Sequence, residues 1–264
     1  MKVQSQNPIG IFDSGVGGTS IWKEIQLLMP NENTMYLSDS KNAPYGYKSE
    51  EKIIELSIKN TEYLLEKNCK IIVVACNTAT TNAIKILRQK YNVPFIGIEP
   101  AIKPASLQTN TNTIGILATK GTLNSELFEK ASSNLEDNIT VIEQVGEGLV
   151  NLIEKGEINS PEMNRLLTKY LTPMIKKNAD CIVLGCTHYP YLKDLIKKIV
   201  GNKIEIIDSG LAVAKQTKHV LNKHKLLLQS NNTPTYQFYI NKNKSTLSYF
   251  LKQYPNSIIK ELDF

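Results

Sequence analysis

Two cysteines occupy matching places in this 264-residue sequence, each directly after a short and largely apolar run. Cys76 follows residues 71–75, and Cys186 follows residues 181–185. Small hydroxyl or amide residues come next in both copies. Because ligand sites in open α/β sheets form where parallel strands end, this spacing predicts two thiols at strand ends that face a bound ligand.

A pair of thiols suits the inversion of a carbon atom that carries an acidic C–H bond. Inversion needs a base that removes the proton on one face and an acid that supplies a proton on the other. A thiol with a reference pKa of about 8.5 serves either role once its environment shifts that pKa. We therefore predict that Cys76 and Cys186 are catalytic, with no cofactor and no metal ion. The other two cysteines, Cys69 and Cys181, are predicted to be small buried residues.

Neighbouring side chains are predicted to assist the thiols. Asp13 ends the first apolar strand, which lies close to the strand of Cys76 in such a fold. His188 lies two residues after Cys186. A carboxylate and an imidazole are suitable partners for holding or passing thiol protons. Polar groups that could bind a small acid follow the thiols at Asn77, Thr78 and Thr187. Helix N-termini after each strand would add free N–H groups, which attract carboxylates.

Strands and helices alternate along the chain, which predicts parallel sheets covered on both faces. Three stretches of the first half recur in the same order in the second half: residues 9–13 at 114–118, residues 71–78 at 181–188, and residues 95–99 at 204–208. Such repetition predicts an α/β fold with two pseudo-symmetric parallel-sheet domains that face each other across a central cleft.

The predicted first domain comprises residues 1–100 and 209–264, and the predicted second domain comprises residues 101–208. The active site is expected at their interface. The tail after residue 208 is too short for a core of its own. We predict a strand at residues 236–240 within this tail and expect the tail to pack onto the first half.

The composition excludes some classes of partner. With 41% hydrophobic and 21% charged residues, it is typical of a globular protein. The net charge of +6 comes mostly from lysine, since Arg88 and Arg165 are the only arginines. Specific nucleic-acid readers rely on arginine forks, and no aromatic ladder alternates with these lysines. We therefore expect no nucleic-acid partner.

The sequence also argues against a membrane partner. Residues 1–8 are polar and lack the apolar segment of a signal peptide. No apolar run approaches the roughly 18 residues that a membrane-spanning helix needs. The expected location is the cytoplasm.

A nucleotide-binding module is an alternative interpretation of the glycine-rich residues 15–18, which follow a strand. Asp39 lies about where a ribose-binding acid would stand. The dinucleotide fingerprint, however, requires a third glycine or alanine where this chain has Ser20.

Two further alternatives concern the thiols themselves. Cys76, Cys186 and His188 could hold a catalytic zinc ion, since three protein ligands and a water make such a site. A plain amino-acid-binding protein would bind the same ligand without exchanging its α-proton. Tyr45 and Gly46 could simply form a turn.

At these motifs the chain resembles the glutamate racemases of bacterial cell-wall synthesis, members of the cofactor-independent aspartate/glutamate racemase superfamily. The matching stretches span most of the chain in the family's order: residues 12–18, 44–46, 75–79 and 185–190. A racemase of the same superfamily that acts on aspartate is the nearest alternative, because one methylene group is worth only about 1–3 kcal/mol in a pocket.

The resemblance implies a function and a role for each site residue. Cys186 would deprotonate L-glutamate and Cys76 would deprotonate D-glutamate, and the D-glutamate would supply peptidoglycan synthesis. Asp13 and His188 would assist the two thiols. The implied substrate contacts are Asp13, Ser14, Tyr45, Gly46, Asn77, Thr78, Thr187 and His188. Thr119 and Glu154 also match positions near the family's site. The expected assembly is a homodimer.

Overall fold

A computed structural model describes residues 4–229 and 233–264. Residues 1–3, at the polar start of the predicted first domain, and residues 230–232, in its tail, lie outside the described part. The strands are β1 (Ile9–Asp13), β2 (Thr34–Ser38), β3 (Ile71–Val74), β4 (Phe95–Gly97), β5 (Thr113–Ala118), β6 (Thr140–Val145), β7 (Cys181–Gly185), β8 (Glu205–Ile207), β9 (Tyr236–Ile240) and β10 (Ser257–Glu261).

Helices connect these strands and cover the sheets. They are α1 (Thr19–Leu28), α2 (Glu50–Glu66), α3 (Asn77–Lys90), α4 (Ile102–Gln108), α5 (Lys120–Leu123), α6 (Glu126–Ser133), α7 (Leu149–Glu154), α8 (Pro161–Lys176), α9 (Lys193–Val200), α10 (Gly210–Lys223) and α11 (Lys244–Phe250). Short 3-10 helices span Tyr45–Tyr47 and Tyr189–Leu192. No helix in the described part of the chain has the length and apolar character that crossing a membrane requires.

The order of the strands repeats between two parallel sheets. The first sheet has the order β10-β9-β2-β1-β3-β4, and the second has the order β6-β5-β7-β8. Every strand pairing in both sheets is parallel. The segment β2-β1-β3-β4 therefore matches the whole second sheet, strand for strand. This repeat confirms the predicted fold class of two pseudo-symmetric α/β halves.

The amino-acid types explain the central strands and the helix starts. Every residue of β1, β3 and β7 is buried, as expected for parallel strands that are covered on both faces. Ser49 caps α2 by accepting a hydrogen bond from a backbone N–H of the first turn. Ser160 caps α8 in the same way, ahead of a proline at the first helical position.

The tail after α10 extends the first sheet. The strand predicted at residues 236–240 is confirmed as β9, which pairs with β2. Sequence reasoning missed β10, whose residues are exposed or half-buried and so lack an apolar pattern. It also missed β6, the half-exposed edge of the second sheet. The exact domain boundaries stay a prediction.

Candidate active site

Both predicted catalytic cysteines lie at the carboxyl ends of central strands. Cys76 comes just after β3 and caps α3, and Cys186 directly follows β7. One small cavity is lined by both thiols. Loops of the two halves supply the rest of its lining: Ser14, Pro44, Tyr45, Gly46, Asn77, Thr78, Thr119, Val150, Thr187 and His188.

The Cys76 thiol is buried at the start of α3. The backbone N–H of Ala79 donates a hydrogen bond to its sulfur at 3.5 Å, and the thiol donates to the Ser14 hydroxyl at 3.6 Å. Burial raises the pKa of the thiol and the Asp13 carboxylate raises it further, while the two hydrogen bonds offset this only in part. The protonated thiol is therefore favoured at Cys76.

The Asp13 carboxylate is fully buried at the end of β1. It accepts hydrogen bonds from the backbone N–H groups of Gly15 and Gly18 at 3.3 and 2.8 Å. The Thr187 hydroxyl donates a third hydrogen bond at 3.3 Å. Burial raises the pKa of Asp13 to about 6, although the nearby His188 lowers it. Asp13 lies behind the residues that line the cavity, so its contact with a substrate stays a prediction.

The His188 imidazole lies between a thiol and a carboxylate. Its Nδ1 is 3.8 Å from the sulfur of Cys186, and its Nε2 is 2.6 Å from Oε1 of Glu154. Burial lowers the pKa of the ring, but the hydrogen bonds to Cys186 and Glu154 outweigh burial and hold the pKa well above its usual 6.5. The ring is therefore cationic at neutral pH and places a positive charge beside the sulfur of Cys186.

Glu154 holds this imidazole in place from the end of α7. Its carboxylate also accepts hydrogen bonds from the backbone N–H of Val16 and from the Ser40 hydroxyl, both at 2.7 Å. Burial raises the pKa of Glu154, but the hydrogen bond and charge of His188, with the other two donors, bring it below its ordinary value. An ionised Glu154 thus links the second half to two loops of the first.

The glycine-rich loop after β1 makes room for this ion pair. A Cβ atom on Gly15 would lie 1.9 Å from Oε1 of Glu154, and one on Gly17 would lie 2.2 Å from Nδ1 of His188. Side chains of the second half therefore require both glycines. A carboxylate and an imidazole fill the space beside this loop, where a nucleotide-binding module would hold a phosphate.

The first half contacts the second half through a residue at the position equivalent to His188. Thr78 lies two residues after Cys76, as His188 lies two residues after Cys186. The hydroxyl of Thr78 is 2.9 Å from the hydroxyl of Thr119, which follows β5. Each half therefore places the second residue after its cysteine against a loop of the other half.

Asn77 offers free hydrogen-bonding capacity to the cavity. The residue is buried at the start of α3, and neither polar atom of its side chain has a hydrogen-bond partner among the described residues. A side-chain amide both accepts and donates hydrogen bonds. The first N–H groups of a helix also lack partners within the helix and attract anions. These groups suit a ligand that carries both an ammonium group and a carboxylate.

A loop between β2 and α2 supplies another part of the cavity wall, at residues 44–46. The hydroxyl of Tyr45 donates a hydrogen bond to Oδ2 of Asp39 at 2.5 Å and accepts one from Asn60 at 3.1 Å. These hydrogen bonds tie the tyrosine hydroxyl to two residues that do not line the cavity.

All predicted site residues except Asp13 line the cavity. Glu154, which sequence reasoning placed only near the site, forms the ion pair with His188. Val150 lines the cavity and was not predicted. It lies one turn before Glu154 in α7, so the i,i+4 spacing could have indicated it. Between residues 4–229 and 233–264, no group of three His, Cys, Asp or Glu side chains is arranged to hold a metal ion.

Comparisons with known proteins agree with this geometry. A model of the family described as Asp/Glu/Hydantoin racemase matches residues 20–217. The glutamate racemase of Cupriavidus pinatubonensis is 44% identical over 240 residues, which cover 91% of this chain and 88% of that protein.

Solved structures with the same architecture include two glutamate racemases. The isoform RacE1 of Bacillus anthracis is 29% identical with a TM-score of 0.88, and the match covers 99% of each chain. The glutamate racemase of Francisella tularensis, solved in complex with D-glutamate, is 31% identical with a TM-score of 0.84, and the match covers 98% of each chain.

Proposed function

The chain belongs to the Asp/Glu/hydantoin racemase family, and from that premise we propose that it interconverts L- and D-glutamate without a cofactor. The observation that carries the proposal is that two thiols from equivalent strand ends line one cavity. Removing an α-proton on one face and supplying one on the other needs two such groups.

The cavity offers suitable groups for a small dicarboxylate with an ammonium group. The start of α3 and the Asn77 amide lie beside Cys76, and the Thr78 and Thr119 hydroxyls lie across the boundary between the halves. The two arginines, Arg88 and Arg165, are not among the lining residues. Backbone N–H groups, hydroxyls and an amide would therefore hold the carboxylates, in place of a guanidinium clamp.

The thiols would act in sequence. With L-glutamate bound, the Cys186 thiolate takes the α-proton, and the electron pair of the broken C–H bond stays on the α-carbon. The Cys76 thiol then gives its proton to the opposite face, which forms D-glutamate and leaves Cys76 as the thiolate. The reverse reaction starts from that state, so the two thiols exchange roles without any other reactant.

The surroundings of each thiol suit the start of this sequence. The cationic His188 ring places a positive charge beside the sulfur of Cys186, the group that would accept the α-proton of L-glutamate. Burial and the Asp13 carboxylate raise the pKa of Cys76, which keeps its proton available for donation. The ammonium group of the substrate would bring positive charge into the cavity and stabilise the thiolate that forms.

Circular dichroism of L-glutamate incubated with the metal-free protein tests the proposal. We expect the signal to decay to zero as the racemate forms. Loss of activity on chelation would instead favour the zinc alternative. A parallel incubation with L-aspartate tests the nearest alternative, because faster decay of the aspartate signal would assign the enzyme to that substrate.

The reaction in deuterium oxide tests the two-base step. Each enantiomer should give product that carries deuterium at the α-carbon, because the proton that is added comes from a thiol in exchange with the solvent. Unlabelled product would show that a single shielded base returns the same proton, and binding without any exchange would identify a plain amino-acid-binding protein.

Membership of the family also supports a proposal about the role of the enzyme in the cell. We propose that the enzyme is a cytoplasmic homodimer that supplies D-glutamate for peptidoglycan synthesis. Growth of a D-glutamate-requiring bacterium on expression of this chain would support the biosynthetic role. Light scattering of the purified protein should give twice the monomer mass, and a monomeric mass would contradict the dimer.

A further inference from the structure

Asp39, which the nucleotide-binding alternative singled out, has a different place in the structure. Its carboxylate is fully buried just after β2 and behind the cavity wall. Oδ2 accepts the hydrogen bond from the Tyr45 hydroxyl at 2.5 Å. Oδ1 accepts hydrogen bonds from the side-chain amides of Asn42 at 2.8 Å and Asn241 at 2.5 Å. A buried carboxylate with three directional donors fixes the positions of all three groups.

The hydrogen bonds of the Tyr45 hydroxyl show how this network is connected to the cavity wall. It donates its proton to Asp39 and accepts a hydrogen bond from Asn60, so the network fixes the position of Tyr45, which lines the cavity. Its neighbours Pro44 and Gly46 belong to the same wall. Asp39 therefore sets the position of the wall without touching the cavity.

Asn241 connects this network to the C-terminal tail. It directly follows β9, and its side-chain oxygen accepts a hydrogen bond from the backbone N–H of Lys41 at 2.8 Å. One amide thus holds both the Asp39 carboxylate and the backbone that leads to the wall. Asn241 lies 202 residues from Asp39 in sequence and outside the residues 20–217 that the family model matches.

We propose that Asp39 and Asn241 are positioning residues for substrate binding, and that the C-terminal tail of this chain is part of the structure that holds the cavity wall. The proposal rests on the proposed function for its kinetic readout. A shifted wall weakens the binding of both enantiomers while the two thiols keep their own surroundings. The signature is therefore a raised KM with little change in kcat.

The experiment compares Asn241→Ala with a matched control that joins the same two segments. Lys41 and Asp263 form an exposed ion pair at 3.0 Å between the same loop and the end of the tail. Asn241→Ala should raise KM about tenfold for both enantiomers, because it removes a hydrogen bond to a buried charged group. Lys41→Ala should change KM by less than about twofold, since exposed ion pairs contribute little.

A second variant keeps the proposal testable if Asn241→Ala does not fold. Tyr45→Phe keeps the ring in the wall and removes only the hydroxyl that donates to Asp39, so it should also raise KM. Because the enantiomers have equal free energies in water, kcat/KM must fall by the same factor in both directions. Unchanged KM in both variants, or a loss of kcat alone, would overturn the proposal.

Calorimetric titration with D-glutamate separates this proposal from the proposed function. In a background with both Cys76→Ala and Cys186→Ala, no turnover occurs, and Asn241→Ala should weaken binding by the same factor as it raises KM. An enzyme that fails to racemise glutamate defeats the proposed function alone. Equal affinity with and without Asn241→Ala defeats the positioning role alone.

Discussion

The two halves of the molecule share a backbone plan but give their thiols opposite electrostatic surroundings. In the first half, the carboxylate of Asp13 lies at the end of the strand beside that of Cys76. In the second half, the imidazole of His188 lies two residues after Cys186. The places equivalent to Asp13 and His188 hold Ala118 at the end of β5 and Thr78 in α3.

Under the proposed mechanism, this difference would let a symmetric fold act on mirror-image substrates. The repeat supplies two thiols at equivalent places, but each half keeps one ionisable neighbour and lacks the other. The cationic ring lies beside the sulfur of Cys186, whereas burial and the Asp13 carboxylate raise the pKa of Cys76. Under the proposed mechanism, the second half would accept the α-proton of L-glutamate and the first half would donate a proton to the opposite face.

Removal of either thiol should have the largest effect. We expect Cys76→Ala and Cys186→Ala each to lower racemisation by at least about 10²–10⁴-fold, the usual contribution of general acid–base catalysis. Circular dichroism of either enantiomer measures the loss. Cys69→Ala is the matched control, since this buried cysteine packs outside the cavity and should leave turnover near normal.

The single-thiol variants also test the division of roles. Cys76→Ala should still exchange the α-proton of L-glutamate with deuterium oxide, and Cys186→Ala should exchange only that of D-glutamate. Proton resonance spectra of the recovered amino acids give the exchange rates. Exchange of the same enantiomer by both variants would contradict the opposed placement of the thiols.

Asp13→Asn should change how the free energy of unfolding depends on pH, because it removes a buried carboxylate from the first half. Because the folded-state pKa of Asp13 is about 6, against an ordinary 3.8, its ionisation destabilises the fold as pH rises through about 6. Wild type should lose on the order of 2–3 kcal/mol of unfolding free energy relative to Asp13→Asn between about pH 4 and pH 7. Urea unfolding across this range measures the difference.

A control with the opposite sign accompanies this measurement. Hydrogen bonds from Thr109, Asn110 and Thr111 outweigh the effect of burial on Asp180 and hold its pKa below the ordinary value. Asp180→Asn should therefore remove stability that is present at neutral pH and is lost on acidification. The same pH dependence for both variants would show that the buried carboxylate of Asp13 is not responsible.

Glu154→Gln should lower the activity in a pH-dependent way, through its effect on His188 in the second half. The variant removes the negative charge that helps keep His188 protonated, so the pKa of the ring should move down towards its usual value. We expect kcat/KM to fall about tenfold at pH 8 and to change less at pH 6, where the ring stays cationic. Equal loss at both pH values would indicate a purely structural role for Glu154.

The hydroxyl pair between the halves should give the smallest effect. Thr78→Val and Thr119→Val should each raise KM a few-fold, in line with the net value of a neutral hydrogen bond of about 0.5–1.5 kcal/mol. Because the two hydroxyls are 2.9 Å apart, the double variant should cost less than the sum of the single changes. Strict additivity in a double-mutant cycle would show that the hydroxyls act independently.

The sequence alone predicted the parts that depend on local pattern. Alternating apolar and helical stretches indicated two parallel-sheet halves, and the repeat placed Cys76 and Cys186 at equivalent strand ends. Residues 236–240 were correctly assigned to a strand. Such features follow from side-chain periodicity and from the rule that sites form at the carboxyl ends of parallel strands. The outer strand β10 carried no comparable apolar pattern.

The tertiary structure alone decided which side chains meet across the molecule. Glu154 pairs with His188 and fills the space left by Gly15, and Asn241 reaches Asp39 across 202 residues of chain. No local sequence pattern predicts these contacts, because they depend on how the two sheets and the C-terminal tail pack against each other. Packing of the halves therefore decides the partners of His188 and Asp39, whereas the sequence alone had already placed Asp13 and His188 near the two thiols.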